Sequence, residues 1–189
     1  FVMNFTEILP KIVAAFDAHG MSYALIGGLA MALRGVQRAT LDADFILLSD
    51  DMDSCDSILG NLGYQREFHS ENVSHYISTD ISLGRIDFFH AFRPASLGML
   101  NRAERLPLTS DCTIPVVHTE DLIGLKVQAL VNDPDRQIGD WNDIYMLVDH
   151  SARSGSELDW ELLQDYMQLF NLSHQFTQLK ERYVKIAAS

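Results

Sequence analysis

"LIGGLAMALRGVQRATLDADFILL", Leu25–Leu48, decides how the rest of the chain is read. Its opening belongs to "SYALI", Ser22–Ile26, an apolar run of strand length. Gly27-Gly28 makes the turn, and "LAMAL" opens a short helix that stops at Gly35. "TLDADFILL", Thr40–Leu48, predicts the next strand, closed by "SDD". Alternate strand residues share a face, so Asp42 and Asp44 point the same way, with Cβ atoms roughly 6–7 Å apart. Leu41, Ala43, Phe45 and Leu47 are left for the core. Two carboxylates at that separation repel each other unless a cation lies between them.

Mg²⁺ or Mn²⁺ suits such a pair, because a hard cation takes carboxylate oxygens and is commonly shared with a substrate phosphate. A third acid is available in "GRIDFFHAF", where Asp87 alternates with Ile86 and Phe88. If that strand pairs beside the first, Asp87 joins Asp42 and Asp44, and three acids can hold two metals. One ion then neutralises phosphate; the other lowers the pKa of an attacking hydroxyl, with Asp87 as ligand, general base or both. Gly27-Gly28, leading from strand to helix, lets the backbone approach a phosphate at a helix N-terminus. The ordinary readings are an exposed edge or turn for the acid pair, and for Asp87 a salt bridge to Arg85 or Arg38.

Around this centre the chain is mixed α/β first and helical afterwards. Ile8, Ile12, Val13 and Phe16 predict a helix over Thr6–His19, with Pro10 near its start and Gly20 as C-cap. Ser49 or Asp50 caps a further helix to about Leu62, stopped by Gly63. Tyr64 to Phe92 is strand-like, Pro94 and Pro107 bracket a loop or short helix, and "CTIPVVH" returns as one last strand. "TEDLIGLKVQALV", from Thr119, and "GDWNDIYMLVDH" are helices. Asp159 caps a third, and Ser173 to Ile186 forms a fourth. The expected division is a core over 1–117 and a helical part over 118–189, packed on it.

With 189 residues, 47% of them apolar, the chain can fill a core. A formal charge of −12 argues against broad nucleic-acid binding, which depends on many phosphate contacts. A local cationic site remains open, because Arg34, Arg38, Arg85, Arg93, Arg102 and Arg105 fall in the first two-thirds. Cys55 and Cys112 form no disulfide framework or zinc motif. No stretch has the length of a membrane helix and no secretory pattern opens the sequence, so the expected compartment is the cytoplasm.

Gly27-Gly28, Asp42-Ala43-Asp44 and Asp87, in that order, resemble the nucleotidyltransferase superfamily, the group of the DNA polymerase β-like minimal transferases. Within it, "GGLAMALRGVQRATLDADF" is similar to the toxin-type transferases of abortive-infection and toxin–antitoxin systems and their uncharacterised relatives. Those carry an Arg-x-Thr-x-Asp-x-Asp string, matched by Arg38, Thr40, Asp42 and Asp44. "EDLIGLKVQAL" and "DRQIGDWNDIYML" also look like theirs and place Lys126, Arg136, Asp140 and Asp143 on matching positions. Ala43 stands where a larger β-branched residue is usual, and Gly139 where relatives often carry a basic one.

The resemblance implies an α/β (α+β) fold: a small mixed sheet flanked by helices, followed by a helical part. It implies transfer of a nucleoside monophosphate from a nucleoside triphosphate such as ATP to an acceptor, with Mg²⁺ or Mn²⁺ on Asp42, Asp44 and Asp87. Gly27, Gly28, Arg38 and Thr40 then serve the nucleotide, and Lys126 approaches the triphosphate. The acceptor stays open among a small molecule, a protein and an RNA. An antitoxin or a second copy is the expected partner. A non-catalytic nucleotide-binding or partner-binding protein on the same fold is the alternative.

Overall fold

The computed structural model describes residues 4–188. It divides into two compact units. One comprises the described residues up to Leu33 together with Gln37–His118; the other runs from Thr119 onward and includes Arg34–Val36.

The first unit is built on a seven-stranded mixed sheet. Its strands are β1 (Tyr23–Ile26), β2 (Ala43–Leu48), β3 (Gln65–His69), β4 (Val73–Ile77), β5 (Ile86–Ala91), β6 (Glu104–Thr109) and β7 (Cys112–Val116). They lie in the order β3-β4-β5-β2-β1-β7-β6. β2 runs parallel to β5 and β1 parallel to β7; the other neighbours are antiparallel. Its helices are α1 (Phe5–Ala18), α2 (Gly27–Leu33), α3 (Met52–Asn61) and α4 (Pro94–Arg102). The antiparallel pairing of β1 and β2 brings the glycine corner at the end of β1 back beside the start of β2.

One sheet face carries the aromatic part of the core. Ala43, Phe45 and Leu47 alternate inward, as do Ile86 and Phe88 on β5, and all five are buried. Phe16 of α1 sits among their rings: its centroid lies 5.0 Å from Tyr23, 6.4 Å from Phe45 and 6.1 Å from Phe88. Phe45 and Phe88 stack at 5.4 Å. Each such ring contributes about 1.5–3 kcal/mol through its removal from water. This cluster sets the register, because a one-residue slip of β2 would turn Phe45 out and Asp44 in.

The structure corrects four local expectations. β2 begins at Ala43 rather than Thr40, so Leu41 never enters the alternation and is 64% exposed. Pro10 stands more than a turn inside α1, where it forfeits a bond to the exposed Thr6 carbonyl. A 3-10 turn at Ser49–Asp51 precedes α3. Pro107 lies inside a strand, β6, instead of bracketing a loop. That strand ends the sheet, where a missing N–H costs nothing on the outer side, and the register shifts beside it.

The second unit holds α5 (Thr119–Asn132), α6 (Gln137–Ser154), α7 (Trp160–Leu169) and α8 (Ser173–Ala187). Asp159 caps α7 as expected, its carboxylate accepting from the Glu161 and Leu162 amides. Gly124 lets α5 meet α7, since a Cβ there would lie 2.7 Å from the Tyr166 ring. The Tyr166 hydroxyl donates to Asp121 at 2.6 Å. Trp160 meets Phe176 and Tyr183 edge-on, fastening α7 to α8. No described helix is long and apolar enough to cross a membrane.

Candidate active site

The glycine corner and the acid pair are one piece of structure. Gly27 adopts φ +69°, which L side chains rarely take, and a Cβ there would run into the Asp44 carboxylate, 2.8 Å from Cγ. A Cβ on Gly28 would lie 2.9 Å from Thr40 Cβ and 3.5 Å from Arg38 Cγ. Both glycines are therefore needed so that "RATLDAD" can fold over the corner. Thr40 Oγ1 donates to the Asp42 carbonyl at 3.0 Å and braces the bend that leads into β2.

Sheet register then assembles a row of side chains. Ile26 lies opposite Asp44, Asp44 opposite Asp87, Asp87 opposite His75, and His75 opposite Phe68. These five residues form one rung across β1, β2, β5, β4 and β3, on the face away from Phe45 and Phe88. The parallel pairing of β2 with β5 thus joins two acids that stand 43 positions apart in the chain.

Asp42 lies just before β2 and is half-buried. Burial first, and then the negative charge of Asp87, push its carboxyl above the usual range, with Arg85 opposing them. Asp42 and Asp87 therefore feel each other as like charges. Asp87 Oδ1 accepts from Arg85 Nε at 2.7 Å and from His75 Nδ1 at 2.8 Å, so that ring nitrogen carries the hydrogen. Phe68 stacks on the His75 ring at 5.3 Å. Arg85 also lies 3.7 Å from Glu67, and the hydrogen bond to Asp87 holds its guanidinium charge more firmly than usual. As they stand, no three His, Cys, Asp or Glu side chains among the described residues are gathered closely enough to hold a metal. The donor set itself is right for a hard divalent cation: three carboxylates, two of them adjacent across a ladder, with the charge of Asp87 adding to the cost of ionising Asp42.

Lys126 stands in the second unit. Its Nζ donates to Asp140 Oδ1 at 2.9 Å and Asp143 Oδ2 at 2.7 Å, while Arg136 Nε donates to Asp140 Oδ2 at 3.0 Å. Burial works against charge on Asp140, but the bonds from Arg136 and Lys126 outweigh it and hold the carboxyl below its usual range. Both acids are buried.

Arg85 appears in the sequence only as an ordinary salt-bridge partner for Asp87, and that pairing is present. Glu67 and His75 carried no signal of their own, because only strand pairing brings them to Asp87. His90 takes no part: it is buried on the opposite face, with Nδ1 on the Glu71 carbonyl and Nε2 on Ser74.

The chain belongs to the family described as nucleotidyl transferase AbiEii toxin, type IV toxin–antitoxin system, whose model matches residues 8–185. Among curated proteins none matches by sequence. Solved structures share the fold at low identity. The antibiotic-resistance factor ANT(2'')-Ia superposes with a TM-score of 0.65 at 15% identity, covering 95% of this chain and 97% of that one. An antigenic nucleotidyltransferase-like protein from Paracoccidioides brasiliensis gives 0.60 at 15%, over 96% and 94%. A lincosamide antibiotic adenylyltransferase, LnuA, gives 0.54 at 16%, over 77% and 96%. The protein is a nucleotidyltransferase.

Proposed function

We propose that the chain transfers a nucleoside monophosphate from a nucleoside triphosphate to a hydroxyl-bearing acceptor, using Mg²⁺ or Mn²⁺ held by Asp42, Asp44 and Asp87. The observation that carries this reading is the rung that sets Asp44 beside Asp87, with Asp42 in electrostatic reach of Asp87. A divalent ion there would polarise phosphate oxygens and make the attacking hydroxyl more acidic. The acceptor oxygen forms a bond to the α-phosphorus, the α–β phosphoanhydride bond breaks, and pyrophosphate leaves. On this reading Asp87 ligates the ion or receives the acceptor's proton, and its hydrogen bond with His75 supports its orientation. Arg38 and Thr40, which fold against Gly28, contact the phosphates on the same reading; their nearness to the glycine corner supports it. Gly27 keeps the corner open to the Asp44 carboxylate.

The family description supports a toxin role with an antitoxin as partner. The acidic charge of −12 favours a small-molecule or protein acceptor over an extended nucleic acid. The test is to incubate the protein with each α-labelled nucleoside triphosphate, Mg²⁺ or Mn²⁺, and a lysate, then separate RNA, protein and small molecules. Label in one fraction, lost with Asp42→Asn or Asp44→Asn, is the expected result. Undiminished labelling by either variant refutes the mechanism.

A further inference from the structure

Arg85 is a cation already standing among the acids. Its Nε bonds Asp87 at 2.7 Å, its Nη1 lies 3.7 Å from Glu67, and it also feels the charge of Asp42. Glu67 reaches it through a break in pairing. The β3–β4 register shifts between Arg66 and Phe68, so Glu67 is the extra residue of a bulge, turned toward Arg85 while Phe68 keeps its place on His75. Bulges beside functional sites commonly re-aim one side chain in this way. Both ends of the Arg85 contact are solvent-accessible, with side chains 37% and 49% exposed, so the guanidinium has room to move.

We propose that Arg85 is the built-in counter-ion of the carboxylate rung: it holds Asp87 while no divalent cation is bound, and gives it up to the cation by shifting onto Glu67. This rests on the metal-site reading of Asp42, Asp44 and Asp87. It accounts for a guanidinium that bonds Asp87 and at the same time lies beside Glu67. Arg85 is then a positioning residue that acts through Asp87. Glu67 is its second seat.

The proposal separates from a general charge effect by coupling. Arg85 and Glu67 should govern cation affinity together, because the seat matters only while the guanidinium exists. Mn²⁺ binding to the purified protein, without nucleotide, is measured by isothermal titration or by the electron-paramagnetic signal of free Mn²⁺. Wild type, Arg85→Gln, Arg85→Lys, Glu67→Gln, the double variant and Asp44→Asn are compared, with thermal melting as the folding control. Arg85→Gln should bind Mn²⁺ about three- to tenfold more tightly, and Arg85→Lys should stay near wild type. Glu67→Gln should weaken binding about threefold in the Arg85 background and have little effect once Arg85→Gln is present. Equal or weaker binding by Arg85→Gln, or the same Glu67→Gln effect in both backgrounds, overturns the proposal while leaving the metal site standing. Mn²⁺ binding by Asp44→Asn as tight as wild type overturns both.

Discussion

Two acidic clusters in this chain look alike in the sequence and behave oppositely in the structure. Asp140 and Asp143 are buried, and Lys126 and Arg136 satisfy them with three charge-assisted hydrogen bonds. Asp42, Asp44 and Asp87 face partly open space; burial and the charge of Asp87 raise the Asp42 carboxyl above its usual range, and the groups bonded to Asp87 are the half-exposed Arg85 and His75. The first cluster is a finished ion network that helps hold α5 against α6. The second brings like charges together at a half-open face, which suits a site that receives a cation from solution. The contrast shows why spacing of acids cannot separate a structural pair from a site: the difference lies in which cations the fold delivers to them.

The largest effect expected from breaking the comparison is on chemistry. Asp44→Asn should lower transfer by about two orders of magnitude or more while the melting temperature stays close to wild type. Removing the cation from the other cluster should do the reverse. Lys126→Met leaves two buried carboxylates without their shared donor and should cost about 3–5 kcal/mol of unfolding free energy, read by denaturant titration. Gly27→Ala falls between: it should lose activity because the new methyl displaces the Asp44 carboxylate, and should cost about 1–3 kcal/mol through strain at φ +69°.

The smallest effect is a pH dependence to which the helical cluster contributes through Asp140. The carboxyl of Asp140 is held below its ordinary value of 3.8 in the folded chain. Its stabilisation is therefore complete above that value and is lost as pH falls through the lower, folded one. Stability of the wild type should drop below about pH 4, and the slope in that range should be shallower for Asp140→Asn.

The glycine corner was legible because everything that defines it is local: an apolar run, two glycines, a short helix, then acids alternating with Ala43 and Phe45. Asp87 was legible for the same reason, as an acid between Ile86 and Phe88. Leu41 misled because alternation does not say where a ladder begins; β2 starts only where Ala43 can donate to the Arg85 carbonyl. β6 was hidden by Pro107, which an edge position tolerates and a central one does not. Glu67 and His75 were illegible because their meaning comes from the β3–β4 and β4–β5 registers and the bulge at Glu67, which the pattern within a single strand does not fix. For Lys126 the resemblance implied only an approach to the triphosphate; its bonds to Asp140 and Asp143 come from the packing of α5 on α6, which the sequence does not show.

The most direct test of the carboxylate rung as a transferase site follows the two ends of one nucleotide. Wild type and Asp87→Asn are incubated with Mg²⁺, a lysate and a nucleoside triphosphate labelled on either the α- or the γ-phosphate. The account predicts that wild type places only the α-label on a product and releases the γ-label as pyrophosphate, and that Asp87→Asn, still folded, does neither. Transfer of the γ-label, or full α-label transfer by Asp87→Asn, would contradict it.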